Sequence, residues 1–198
     1  MPQSRRYKKK KSAGKAILAW IIVLAILVAG VFVFVSVFYE DAKKKLDEMN
    51  YPRTYSTYVE KAAKDYDLDP ALIYAVIHTE SGFDPKAESG VGAKGVMQMM
   101  PSSFEWLQEQ RGCAGQYTED DLFDPEICID YGSYLLKYFY DYYGTERSAI
   151  AAYNAGFVVS DWLNDTNYSS DGKNLDSIPY PETENYVDKV ESLSLIHI

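Results

Sequence analysis

Metal-binding and redox side chains are scarce in this chain: two cysteines and two histidines occur among 198 residues. A structural zinc site takes four such ligands at close spacing, so none is expected, and no other cofactor is called for. Positive charge is scarce too, once the N-terminus is set aside. Residues 40–198 carry 13 Lys and Arg against 29 Asp and Glu, a net charge of −16. That excludes nucleic acid as a partner, because phosphates need a basic patch. It also repels anionic surfaces, so any grip on a polymer has to come from a groove and not from long-range attraction. No internal repeat and no convincing strand pattern is present.

What is present begins with a basic head at 1–15, carrying Arg5, Arg6, Lys8, Lys9, Lys10, Lys11 and Lys15. An uncharged apolar run follows at 16–38. Its 23 residues make ~35 Å of helix at ~1.5 Å per residue, enough to cross a ~30 Å hydrocarbon core, and it is read as a transmembrane anchor. A cleaved signal peptide is the competing reading. Its apolar region usually runs to about 7–15 residues before a small-residue cleavage site, and Val35-Ser36-Val37-Phe38-Tyr39 offers none. The basic head outweighs Lys43, Lys44 and Lys45, which leaves the N-terminus in the cytoplasm and the rest outside. Residues 39–53 read as a polar stalk, whose 14 residues from Glu40 to Arg53 span at most ~46 Å if fully extended.

From 54 to 192 the pattern is helical. Tyr55, Tyr58, Val59, Ala62, Ala63 and Tyr66 recur at steps of three and four, giving one apolar face. Asp69-Pro70 reads as an N-cap with proline at the first helical position, opening a second helix that stops at Gly82. Pro101, Pro125 and Pro181 mark further starts, and Gly144 and Gly156 further stops. At least five helices are expected. The Gly-rich connection from Ser81 to Pro101 is too long for an ordinary helix-to-helix loop, and such loops tend to be functional. The polar stretch from Tyr168 to Pro179 reads as a surface loop. Tyr131, Tyr134, Tyr138 and Tyr142 follow helical spacing and read as a packed face. Cys113 and Cys128 are either a disulfide, contributing ~3 kcal/mol by closing its loop, or two reduced thiols.

Glu80 is the residue on which chemistry centres. It ends the otherwise apolar helix Ala71-Leu-Ile-Tyr-Ala-Val-Ile77, just before the Gly82 break. Burial and the negative end of the helix dipole both disfavour its charge and raise its pKa. A carboxyl group still protonated near neutral pH is what general-acid cleavage of a glycosidic bond requires. Taken alone, such a glutamate is more often a solvated helix end.

Four segments occur in order: Glu80-Ser81, Gly95-Val96-Met97-Gln98-Met99-Met100-Pro101, Ala152-Tyr153-Asn154-Ala155-Gly156, and Pro181-Glu182-Thr183-Glu184-Asn185-Tyr186-Val187. Together with Ser81-Gly82-Phe83-Asp84-Pro85 and Phe123-Asp124-Pro125 they resemble the signatures of the lytic transglycosylases of the soluble-lytic-transglycosylase type, a lysozyme-like family. The resemblance covers about Tyr58 to Val190. It implies a mainly α, lysozyme-like helical domain behind the transmembrane helix, on the outer face of a bacterial cytoplasmic membrane, with peptidoglycan strands as substrate. Glu80 would be the sole catalytic acid and base. The muramic acid's own C6 hydroxyl would supply the nucleophile, so a second carboxylate need not be close. Ser81 would bond near the carboxyl or the sugar, and Met97 and Gln98 would line the groove. Tyr153 and Asn154 would orient substrate and acid, and Glu182 and Tyr186 would close the site. Asp84 is a helper candidate but reads better as a turn cap, and His78, two residues from Glu80, receives no role.

Two departures stand out. Phe157 occupies the position after Gly156 at which this family usually has proline. The segment 193–198, Leu-Ser-Leu-Ile-His-Ile, breaks the acidic amphipathic pattern before it and is what the adapter-like codons CTG TCT CTT ATA CAC ATC encode; it is expected to be a non-native tail. The sequence names no protein partner.

Overall fold

The computed structural model describes residues 10–50 and 53–196. Arg5, Arg6, Lys8 and Lys9 of the basic head, Tyr51 and Pro52 of the stalk, and His197 and Ile198 of the tail lie outside the described residues. The chain divides into two compact units, Met1–Pro52 and Arg53–Ile198.

The first unit is one helix, α1 (Lys10–Asn50). Its stretch Ile17–Tyr39 is 23 residues long, apolar and unburied, long enough to cross a membrane and one residue out of step with the expected 16–38. The helix runs on through residues 40–50, so this part of the stalk is not extended chain. The segment has neither Gly nor Pro and is rich in Lys and Glu, so it propagates a helix already nucleated upstream. Eleven residues then rise ~16 Å instead of the ~36 Å they would span extended.

The second unit contains, among the described residues, seven α-helices and two single 3₁₀ turns and no strand. Helix α2 (Ser56–Tyr66) buries Val59, Ala62 and Ala63, the face that its spacing foretold. Helix α3 (Pro70–Ser81) opens where Asp69 accepts the Ala71 N–H at 2.8 Å and closes at Gly82, whose φ of 58° needs no Cβ penalty. All seven residues from Ala71 to Ile77 are buried, so α3 is apolar all round and forms the core of the unit, packed against α2 and against α8 (Pro181–Ile196). Helix α4 (Pro101–Gln110) follows the Gly-rich loop. Helix α5 (Pro125–Tyr143), capped by Asp124 and stopped by Gly144, packs on α2 and on α6 (Glu146–Ala155). The short α7 (Val159–Asn164) and the 3₁₀ turns Glu119–Phe123 and Gly156–Val158 are too brief to register as periodicity.

The loop from 82 to 100 is held rather than loose. Lys94 and Met99 exchange both backbone hydrogen bonds at 3.0 Å, and Lys94 Nζ pairs with Glu119 and Asp120 at 3.1 Å each. Gly95, at φ 76°, lies so close to the Glu119–Phe123 turn that a Cβ there would sit 2.0 Å from the Leu122 carbonyl oxygen and 2.8 Å from Cys128 Sγ. In the stretch from Tyr168 to Pro179, Asp171 is exposed while Leu175 and Ile178 are buried, so this surface loop is pinned at two apolar points. Leu193, the first residue of the suspected tail, is buried on α8. The tyrosine row of α5 is packed only in part: Tyr131 is buried and Tyr134 lies against Tyr66, but Tyr142 is exposed.

Gly95→Ala is therefore expected to cost about 3 kcal/mol or more in denaturant unfolding, since backbone and not a flexible side chain blocks the new methyl group. A loss below about 1 kcal/mol would show that the loop is not seated on the Glu119–Phe123 turn as described.

Candidate active site

Glu80 lies in the last turn of α3, where the buried run gives way to the Gly82 stop. Its carboxyl is largely enclosed, and Oε1 accepts a 2.7 Å hydrogen bond from the Tyr186 hydroxyl of α8. Burial raises the pKa of this carboxyl from 4.5 to about 7, opposed by the Tyr186 hydrogen bond and by the charge of Lys189. Among the described residues, none of the groups acting on it is a carboxylate. Asp84 is exposed and accepts the Lys86 N–H at 2.9 Å, a turn cap as expected, and Glu182 stands exposed on the first turn of α8. His78 sits edge-on to Phe83 at 6.0 Å, its pKa lowered by burial and then by Lys189.

Opposite Glu80 is the Gly95–Pro101 loop, and several expected sugar contacts turn out to be its scaffolding. Ser81 Oγ donates to the Val96 carbonyl at 2.8 Å and to Ile77 at 3.3 Å, so the hydroxyl ties the helix end to the loop and not to the Glu80 carboxyl. The Met97 side chain does not line a groove: it is wholly buried in the slot opened by Gly132, where a Cβ would fall 2.5 Å from its sulfur. Its backbone remains part of the site, since the Met97 carbonyl accepts the Tyr153 hydroxyl at 2.9 Å and its N–H reaches Cys128 Sγ at 3.4 Å. Gln98, at φ 45°, turns its amide NH₂ back onto the carbonyls of Ala87 and Gly95 at 3.1 and 3.0 Å; that NH₂ is committed to the loop.

From the far side, α6 delivers Tyr153, whose hydroxyl is enclosed; burial raises its pKa well above 10, and Glu80 adds to the shift. Tyr186 is raised in the same way, by burial first and then by Glu80. Both phenols therefore stay neutral donors. Asn154 is exposed, and its side-chain carbonyl accepts the Thr183 hydroxyl at 2.8 Å, latching α6 to α8. Glu80, Tyr153 and Tyr186 thus converge, Ser81, Met97 and Gln98 shape the loop, Asn154 joins two helices, and Glu182 is not brought in. Sequence reasoning missed Thr183, Gly132 and Lys189. Lys189 follows Tyr186 by three residues on α8, a spacing that places the two on neighbouring positions of one face.

The Cys113–Cys128 disulfide is not formed; both thiols are free. Cys113 Sγ is 3.3 Å from the Tyr131 hydroxyl, whereas Cys128 is fully buried beneath the loop, facing Met97 N and the Lys94 carbonyl. Burial pushes the Cys128 thiol up to about 12, so it acts as packing and not as a nucleophile. Among the described residues no three His, Cys, Asp or Glu side chains are placed to hold a metal ion.

A helical unit built around one buried helix, with a single enclosed carboxyl at its end facing a glycine-rich loop, is of the lysozyme-like class. Residues 57–175 match the model of the family described as "Transglycosylase SLT domain", and the chain belongs to that family. The soluble lytic murein transglycosylase of Escherichia coli K12 is 32% identical over 72% of this chain, and this chain spans 23% of that protein's length. A membrane-bound lytic murein transglycosylase C from Serratia proteamaculans is 35% identical over 65% of this chain and 38% of its own. Two solved structures superpose with a TM-score of 0.67 over 76% of this chain and 25% of theirs. They are the 70 kDa soluble lytic transglycosylase of Escherichia coli, 28% identical, and an inactive mutant of the lytic transglycosylase Slt of Pseudomonas aeruginosa, 30% identical.

The raised proton affinity of Glu80 has a cost that depends on pH. The folded state holds this proton more tightly than the unfolded chain does, so its contribution to stability is complete below pH ~4.5 and is lost as pH rises through about 7. Glu80→Gln cannot ionise. Its stability relative to wild type, followed by thermal unfolding from pH 5 to 8, should improve with pH by up to about 3 kcal/mol; parallel profiles would contradict the enclosed carboxyl.

Proposed function

We propose that this chain is a peptidoglycan lytic transglycosylase, cutting the β-1,4 bond between N-acetylmuramic acid and N-acetylglucosamine and leaving 1,6-anhydro ends. The observation that carries this reading is the solitary Glu80, enclosed, proton-bearing near neutral pH and hydrogen-bonded by Tyr186 at 2.7 Å. The names of the relatives, which are lytic transglycosylases, support it.

Protonated Glu80 donates to the glycosidic oxygen as the C1–O bond of the muramic acid breaks, and the N-acetylglucosamine leaves with that proton on O4. The C6 hydroxyl of the same muramic acid then closes on C1, and the Glu80 carboxylate takes its proton. The acid is regenerated, no water is consumed, and one residue performs both transfers. Because the nucleophile belongs to the substrate, proximity replaces the second carboxylate that ordinary glycosidases hold at a fixed separation. Tyr186 keeps one carboxyl oxygen fixed and stabilises the charge between the two transfers. Tyr153 fixes the Met97 carbonyl, and Ser81 fixes Val96, so the glycan meets a preset loop. Contact with sugar substituents is the role proposed for the exposed Asn154; Gln98 acts by holding the loop through the Ala87 and Gly95 carbonyls, and Glu182 is given no role.

Residues 16–38 act as a single-pass anchor, N-terminus in, with residues 54–192 outside the membrane, as the basic head and the membrane-bound relatives support. The short stalk, residues 39–53, limits by its length how far the cutting domain can reach from the bilayer.

Four outcomes are expected from digestion of purified peptidoglycan. Wild type should release fragments one water lighter than those of a hydrolase, and Glu80→Gln should lose activity by at least about a thousandfold, a loss of more than ~4 kcal/mol of transition-state stabilisation. Hydrated ends would move the assignment to a lysozyme-type muramidase, and binding without cleavage to a tethered glycan-binding protein. The first transfer needs the protonated acid, so kcat/KM should fall above about pH 7. Tyr186→Phe, which removes a hydrogen bond that lowers the Glu80 pKa, should move that limb to higher pH.

A further inference from the structure

Around the end of α5 lies a set of rings that the cleavage mechanism does not use. Trp106 of α4 meets Tyr138 edge-on at 5.0 Å and 87°. Tyr138 and Tyr142 lie nearly parallel, 15° apart with centroids at 6.3 Å, and each is close to perpendicular to Phe157, at 6.3 and 5.8 Å. The cluster is ordered like a core but is not buried like one: Tyr142 is 59% exposed and Phe157 is 49% exposed. Contiguous aromatic surface of this kind on a water-soluble unit marks a binding face.

Both walls of the active site run into it. Helix α4 leaves the Gly95–Pro101 loop at Pro101 and carries Trp106. Phe157 follows Asn154 by three residues. Tyr142 lies ten residues along α5 from Gly132, which seats Met97, and so is ~15 Å further along that helix.

We propose that Trp106, Tyr138, Tyr142 and Phe157 form a sugar-stacking platform that holds the same glycan strand several residues from the bond being cut. This rests on the reading of the chain as a glycan-cleaving enzyme. A pyranose presents a face of C–H bonds that packs on an aromatic ring, and the tyrosine hydroxyls offer hydrogen bonds to its substituents. The charge of the unit favours this occupant over a lipid surface. Asp161 is exposed nearby, Asp141 is paired with Lys137 at 2.8 Å, and residues 40–198 carry a net charge of −16, which an anionic leaflet repels and the sugar backbone does not.

The test uses full-length Glu80→Gln protein in lipid nanodiscs, so that nothing is cleaved, with N-acetylglucosamine oligomers of two and six residues as probes in calorimetry. Adding Tyr142→Ala and Phe157→Ala should weaken the six-residue oligomer about five- to tenfold and leave the two-residue oligomer unchanged, while Phe157→Trp, which keeps a ring, should retain the long-oligomer affinity. Equal losses at both lengths, or none, would overturn the platform. So would extra quenching of the Phe157→Trp protein by brominated lipid relative to its parent, which would make the patch a membrane-resting surface. Failure of the wild type to digest peptidoglycan would overturn this proposal together with the reading beneath it, whereas digestion without length-dependent loss sinks the platform alone.

Discussion

The enclosure of one carboxyl group governs the rest of this structure. Glu80 lies in the last turn of a helix in which the seven residues from Ala71 to Ile77 are all buried, and its surroundings withhold the water that would stabilise its charge. Desolvation alone would leave a carboxyl that scarcely ionises near neutral pH. Tyr186 and Lys189, both from α8, pull in the other direction. The resulting affinity near neutrality is a balance between α3, which removes water, and α8, which returns a hydrogen bond and a positive charge. That balance explains why α8 matters although it lies more than a hundred residues away in sequence.

A second constraint follows from the first. A lone acid works only if the glycan arrives in a fixed pose, and the chain invests many small contacts in the loop that faces Glu80. Ser81 holds Val96, Tyr153 holds the Met97 carbonyl, Gln98 folds onto Ala87 and Gly95, and Lys94 anchors to the Glu119–Phe123 turn. Gly95 and Gly132 allow the close approaches that a side chain would block. The loop is thus held by α3, α6 and the Glu119–Phe123 turn as well as by its own hydrogen bonds.

Much of this was legible in the chain. The N-cap at Asp69, the proline starts and the glycine stops placed the helices, because each rests on local backbone chemistry. Glu80 stood out because an apolar helix ended on a carboxyl, and the ordered motifs singled out Tyr153 and Tyr186. What could not be read was direction. Met97 and Gln98 alternate in a motif that faces a groove, yet whether a side chain or a carbonyl points into it depends on the positive φ at Gln98 and on the space left by Gly132, thirty-five residues downstream. The cysteine pairing failed for a similar reason, since spacing along the chain says nothing about Cys128 turning under the loop while Cys113 faces Tyr131. Helicity beyond the membrane span was hidden by polar composition, which suits a loop and a solvated helix equally.

The most direct test of the account is the ionisation of Glu80 itself. Titration of the side-chain carboxyl carbons by NMR in glutamate-labelled protein, with the Glu80 signal identified by its absence in Glu80→Gln, should show one group titrating at about 7 and moving higher in Tyr186→Phe. A Glu80 signal that titrates near the ordinary 4.5 would mean that the carboxyl is charged when the glycan arrives, and a lone general acid could not operate.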